Sequence, residues 1–116
     1  MSDVTIYHNP RCSKSCETLA LLEDKGIQPD VVLYLQTPPS VATLRDLVAK
    51  LGVRPIELVR KKEQAYKALN LADHVDDDDV ILQAMADHPV LIERPIVVKG
   101  AAARLGRPPE QVVEIL

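Results

Sequence analysis

The sequence predicts a single α/β domain, residues 1–116, in which a helical insertion separates two strand-bearing halves. Three observations carry this. A short apolar run at residues 4–7 leads through Asn9-Pro10 into a stretch with helical spacing. From Ser40 the middle of the chain turns helical, with Val41, Leu44, Leu47, Val48 and Leu51 at three- and four-residue steps up to Gly52. A second β-rich block, Ile96–Lys99, returns near the end, ahead of a last helical segment. A chain of 116 residues supports one modest core without staples. With no Trp and no Phe, that core must be aliphatic.

Each element has a local reason. Residues 4–7 form a short buried strand, broken by Asn9-Pro10. Residues 13–25 follow with helical spacing, Cys16, Leu19, Ala20 and Leu22 on one side and Glu17, Asp24 and Lys25 on another. Gly26 suits the residue after a helix, and Pro29 follows soon after. Residues 31–35 are a second strand candidate, rich in β-branched side chains. Thr37-Pro38-Pro39-Ser40 is a loop ending in an N-cap. Val41, Leu44, Leu47, Val48 and Leu51 then line a helix that Gly52 ends. Pro55 opens a short helix through Ile56, Leu58 and Val59. Asp76, Asp77, Asp78 and Asp79 precede Val80, Ile81, Ala84 and Met85. This reads as an acidic helix N-terminus rather than a cation site, because the helix dipole favours acids there. His88-Pro89 ends that helix.

Ile96–Lys99 is a third strand, and Pro95 just before it sits where a cis peptide makes a tight turn. Residues 101–105 are a fourth short strand or a turn. Pro108-Pro109-Glu110 starts a last helix with Val112, Val113 and Leu116 inward. Tyr7 and Tyr34, on opposing strand candidates, are expected in the core. The order β-α-β, helices, β-(β)-α resembles a thioredoxin-like domain with a helical insertion between its halves.

Composition narrows the function. Apolar residues make up 47% and charged residues 27%, which argues against disorder. The net charge of −3 argues against general nucleic-acid binding. No run approaches the length of a membrane span, and the N-terminus lacks a signal-peptide pattern, so a cytoplasmic protein is expected. In that compartment two cysteines are expected to be catalytic or free. Two cysteines four apart and three scattered histidines make no metal pattern, and no Gly-rich phosphate loop is present. Neither a metal nor a bound cofactor is expected.

The chemistry centres on Cys12, in His8-Asn9-Pro10-Arg11-Cys12-Ser13-Lys14-Ser15-Cys16. A cysteine at a strand-to-helix turn meets free N–H groups and the positive end of the helix dipole, both of which favour the nucleophilic thiolate. His8, Arg11 and Lys14 add positive or partly positive character. Position 15 is Ser, so there is no C-x-x-C pair. Position 18 is Thr, where a phosphatase-type loop needs Arg. What remains is C-x-x-x-C. Cβ atoms four apart on a helix stand about 5–6 Å from each other, and a disulfide needs about 3.5–4.5 Å. Cys16 is therefore expected to face the core, with a resolving thiol as its other role. Arg60, Arg94 and Arg107 each stand at a loop or element end. Arginine suits tetrahedral oxyanions, because its planar fork makes bidentate bonds and keeps its proton.

Four segments together carry a family resemblance: Ile6-Tyr7-His8-Asn9-Pro10-Arg11-Cys12-Ser13, Leu58-Val59-Arg60-Lys61, His88-Pro89-Val90-Leu91-Ile92-Glu93-Arg94-Pro95-Ile96-Val97-Val98, and Arg104-Leu105-Gly106-Arg107-Pro108. They look like the glutaredoxin-coupled arsenate reductase family, here a short branch. The resemblance implies that Cys12 attacks arsenate or a similar oxyanion, that Arg60, Arg94 and Arg107 hold it, and that His8 tunes the thiolate. It also implies glutathione as co-substrate and glutaredoxin as partner. Cys16 stands where a well-studied branch has Arg. A monomer that binds neither nucleic acid nor membrane is expected. Two other readings share the fold. One is a regulatory module that contacts RNA polymerase, typically with a C-x-x-C switch that this chain lacks. The other is a general thiol–disulfide oxidoreductase using Cys12 and Cys16.

Overall fold

The computed structural model describes residues 3–116. The chain divides into two compact units, Met1–Thr37 with Arg94–Leu116 and Pro38–Glu93. In the first, four strands form one sheet in the order β2-β1-β3-β4: β1 (Val4–His8), β2 (Asp30–Leu33), β3 (Ile96–Lys99) and β4 (Ala102–Leu105). β2 runs parallel to β1, and β3 antiparallel to it. The β3–β4 pair is an antiparallel hairpin with Ile96 opposite Leu105. This is the thioredoxin-like architecture the element order implies. Of the two readings open at residues 101–105, the strand is the one adopted.

Helix α1 (Ser13–Asp24) joins β1 to β2. Its end is a left-handed cap: Gly26 has φ +76°, and the Ile27 N–H reaches back to the Leu22 carbonyl at 3.0 Å. The core of this unit gathers Val4, Ile6, Leu22, Val97 and Val112, flanked by Leu19, Ile27 and Ile115.

Four expectations need correction here. Residues buried on α1 are Ser15, Thr18 and Leu22, so Cys16 and Ala20 lie exposed rather than inward. β2 stops at Leu33, which leaves Tyr34 buried in the turn beyond it. Tyr7 is only half-buried, because strand alternation sends Val4, Ile6 and His8 to the covered face and Tyr7 to the other. The last segment, Pro109–Ile115, is a 3₁₀ helix. At three residues per turn it stacks Val112 above Ile115 and turns Val113 outward.

The second unit is helical. Ser40 caps α2 (Val41–Leu51), its hydroxyl accepting the Thr43 N–H at 3.1 Å, and Gly52 ends it. Leu44, Leu47 and Val48 face inward, and α2 packs on α4 (Asp78–Asp87). Pro55–Leu58 is a 3₁₀ turn, as Pro55 suggests. α3 (Gln64–Ala68) and the 3₁₀ turn Leu71–His74 have no sequence signal of comparable strength, being one turn or so each. The acids before α4 act as a helix N-terminus. Asp77 accepts the Val80 N–H, Asp76 and Asp78 pair with Arg54, and Asp79 pairs with Arg45. Among the described residues, no helix is long and apolar enough to cross a membrane.

Candidate active site

The loop between β1 and α1 is held by Asn9. Its side-chain oxygen accepts the Arg11 N–H at 2.9 Å, an Asx-turn, and its carbonyl accepts the Cys12 N–H at 3.0 Å. Both bonds bend the chain so that Cys12 arrives at the N-cap of α1 in an extended conformation, φ −99° and ψ 121°. A helix leaves its first N–H groups without intrahelical partners, and those of Lys14 and Ser15 face the sulfur.

Cys12 is half-buried, and burial pushes its thiol up. The Ser15 N–H, the hydrogen bond and charge of Arg94, and the Lys14 N–H together outweigh burial and hold the thiol below its ordinary range. The sulfur forms no conventional side-chain cap bond; the amides act on its charge. Arg107 adds a second guanidinium, with Nη1 4.0 Å from the sulfur.

The two arginines reach Cys12 from opposite arms of one hairpin. The Ile96–Leu105 register, extended two places, sets Arg94 across from Arg107. The Gly106 N–H continues the ladder to the Pro95 carbonyl at 2.9 Å, and Arg107 Nη1 donates to the Arg94 carbonyl at 3.1 Å. The peptide bonds Arg94–Pro95 and Arg107–Pro108 are both cis. Gly106 is there because nothing larger fits: a Cβ would collide with Thr18 Oγ1 and come within 2.7 Å of Pro95 Cγ.

His8 ends β1 on the covered face and is buried. Burial lowers its pKa, so the ring is neutral over more of the acidic range than a free imidazole. Its Nδ1 lies 2.6 Å from Ser15 Oγ, which also accepts the Asn9 N–H at 3.0 Å. His8 therefore meets the site through Ser15, whose backbone N–H in turn faces Cys12. Sequence reading singled out His8 but missed Ser15 and Asn9. The sequence signal was only that Ser15 and Thr18, both polar, stand three apart on the helix; the structure shows both fully buried and hydrogen-bonded.

Cys16 lies on the exposed side of α1, its thiol donating to the Pro10 carbonyl at 3.3 Å. Beside the loop, a cavity of about 260 Å³ is lined by His8, Asn9, Pro10, Arg11, Leu33, Leu35 and Gln36. Arg60 belongs to the second unit. Its N–H donates to the Leu91 carbonyl at 2.7 Å beside the Val59–Ile92 bridge, and its guanidinium pairs with Glu63 at 3.3 Å and Glu93 at 3.0 Å. Among the described residues, no group of three or more His, Cys, Asp or Glu side chains is placed to hold a metal ion.

Comparison with known proteins agrees with the motifs. The chain is 60% identical over 114 residues to the uncharacterized protein YfgD of Escherichia coli, covering 97% of this chain and 96% of that one. It is 53% identical over 115 residues to an arsenate reductase of Haemophilus influenzae, covering 97% and 98% of the two chains. The solved structure of an arsenate reductase from Vibrio cholerae superposes with a TM-score of 0.94 at 59% identity, over 97% of each chain. The sequence model of the ArsC family matches residues 7–115, from β1 to the last 3₁₀ turn, and this chain belongs to that family.

Proposed function

We propose that the chain reduces arsenate to arsenite through a Cys12–arsenic adduct, with glutathione and glutaredoxin supplying the electrons. The observation that carries this is the convergence of Arg94 and Arg107 on a Cys12 thiol whose pKa is lowered. An oxyanion can approach a thiolate only if its charge is matched, since like-charge repulsion would otherwise block attack. Two guanidiniums match an arsenate carrying one or two negative charges. That relatives are named arsenate reductases supports arsenate as the tetrahedral anion here. The family resemblance adds Arg60 as a third ligand, and its guanidinium is already engaged by Glu63 and Glu93.

In the first step the Cys12 thiolate attacks arsenic. An S–As bond forms and an As–O bond breaks, with the oxygen leaving as hydroxide or water. Glutathione thiolate then attacks the Cys12 sulfur. The new S–S bond displaces arsenic, which keeps the electron pair and departs as arsenite. Glutaredoxin takes the glutathione and restores Cys12. The cavity beside Arg11 offers room for the incoming peptide thiol and a cation for its carboxylates. No bound cofactor is required, and the reducing cytoplasm suits a free thiol. The working form is a monomer.

The test is a coupled assay with arsenate, glutathione and glutaredoxin. Cys12→Ser is expected to lose turnover while keeping its circular dichroism and melting temperature. Arsenite production by that variant would remove Cys12 as the nucleophile.

A further inference from the structure

The strand-to-helix turn carries two thiols, and the chemistry above uses one. Cys16 follows Cys12 by one helical turn, and residues so spaced inside a helix stand too far apart for a disulfide, about 5–6 Å between Cβ atoms. Here, however, Cys12 is not inside the helix. It is the N-cap, with extended backbone angles. Helical side chains also lean toward the helix N-terminus, and Cys16 does so: its sulfur reaches the Pro10 carbonyl, two residues before Cys12, at 3.3 Å. The exposed Cys16 thiol is thus turned back over the same loop that presents Cys12. One backbone hydrogen bond ties the pair, from the Cys16 N–H to the Cys12 carbonyl at 3.0 Å. The Cys12 side chain makes no cap bond and the first turn holds no acidic residue; the turn is anchored at Ser15, whose hydroxyl accepts the Asn9 N–H at 3.0 Å. A bridge between the two sulfurs requires the first turn to open at the bond between the Cys16 N–H and the Cys12 carbonyl.

We infer that Cys16 is a resolving thiol, forming a Cys12–Cys16 disulfide that expels whatever Cys12 carries. This rests on Cys12 being the nucleophile proposed above, and it makes the terminal reductant a dithiol. On a glutathione mixed disulfide, the Cys16 thiolate attacks the Cys12 sulfur. The Cys12–glutathione S–S bond breaks, and glutathione leaves with the proton that Cys16 gave up. On the arsenic adduct, the same attack breaks the S–As bond. Arsenic keeps the electron pair and falls from As(V) to As(III), while the two cysteines lose one electron each. An external dithiol protein then restores both thiols by exchange.

The test has two arms, both on the full chain, reduced and freed of small thiols. In the first, glutathione disulfide is added and products are read by intact mass and peptide mapping. The parent is expected to hold the Cys12–Cys16 bridge and no glutathione, and Cys16→Ser to retain glutathione on Cys12. A parent that keeps glutathione on Cys12 beside a free Cys16 thiol overturns the inference. In the second, arsenate is added alone. The parent is expected to release arsenite in proportion to protein as the bridge forms, and Cys16→Ser little or none. Equal release from both overturns the inference. A bridge in the first arm with no arsenite in the second, with or without added glutathione, sustains Cys16 as resolving thiol and removes arsenate as the substrate.

Discussion

At Cys12, burial opposes ionisation and the Ser15 amide, Arg94 and the Lys14 amide favour it, with the second group the stronger. The consequence for pH is directional. Because the native thiol titrates below its ordinary range, the native state gives up the proton first. The resulting stabilisation is full above the ordinary thiol pKa and is lost as pH falls through the lowered one. In a Cys16→Ser background, iodoacetamide should therefore alkylate Cys12 with a pH midpoint below that of a small-molecule thiol. Arg94→Ala should move that midpoint upward and slow alkylation at neutral pH. An unmoved profile would mean that Arg94 does not govern the thiolate. The place of Cys12 at a strand-to-helix turn was legible because turn residues and a helix start are local signals. The orientation of Cys16 was not. Hydrophobic periodicity places apolar side chains inward, whereas α1 buries Ser15 and Thr18, polar residues whose hydrogen bonds to His8, Asn9 and Lys14 remove the cost of burial.

Among the elements, the end of β4 is seated on α1 at the Gly106–Thr18 contact. Gly106→Ala puts a methyl group into that space and should cost about 1–3 kcal/mol, the usual penalty of overpacking, measured by urea denaturation. It should also loosen Arg107, the next residue, and reduce kcat/KM for arsenate by more than the stability loss explains. Thr18→Ala in the same chain should restore part of both, and purely additive losses would show that the two residues do not share the space. Helices with a cap and a long apolar stripe, such as α2, were readable from sequence. Short elements were not: α3 and the turn at Leu71–His74 offer too few residues for a period to register. Val113 was misassigned for a related reason, since a 3₁₀ segment turns faster than the 3.6-residue period assumed for it.

For the molecule as a whole, the order of the strands and the longer helices could be read ahead of the structure, but not the division of apolar residues between the two units. Pattern shows that a side chain is inward without saying which neighbours it meets. Leu22 is fully buried in the first unit's core, with Ile6 and Val97. Leu22→Ala should lower stability by about 2–5 kcal/mol in urea denaturation, while the Cys12 alkylation profile of the folded fraction stays where it was. A shifted profile would show that core packing and site electrostatics are not separable. The hairpin that carries Arg94 and Arg107 has a further consequence. Side chains alternate along a strand, so gaining or losing one residue in either arm would send one guanidinium to the far side of the sheet. Strand length therefore works as a ruler for charge. In any related sequence, counting residues from the hairpin tip to each arginine tells whether the pair still points at the same sulfur.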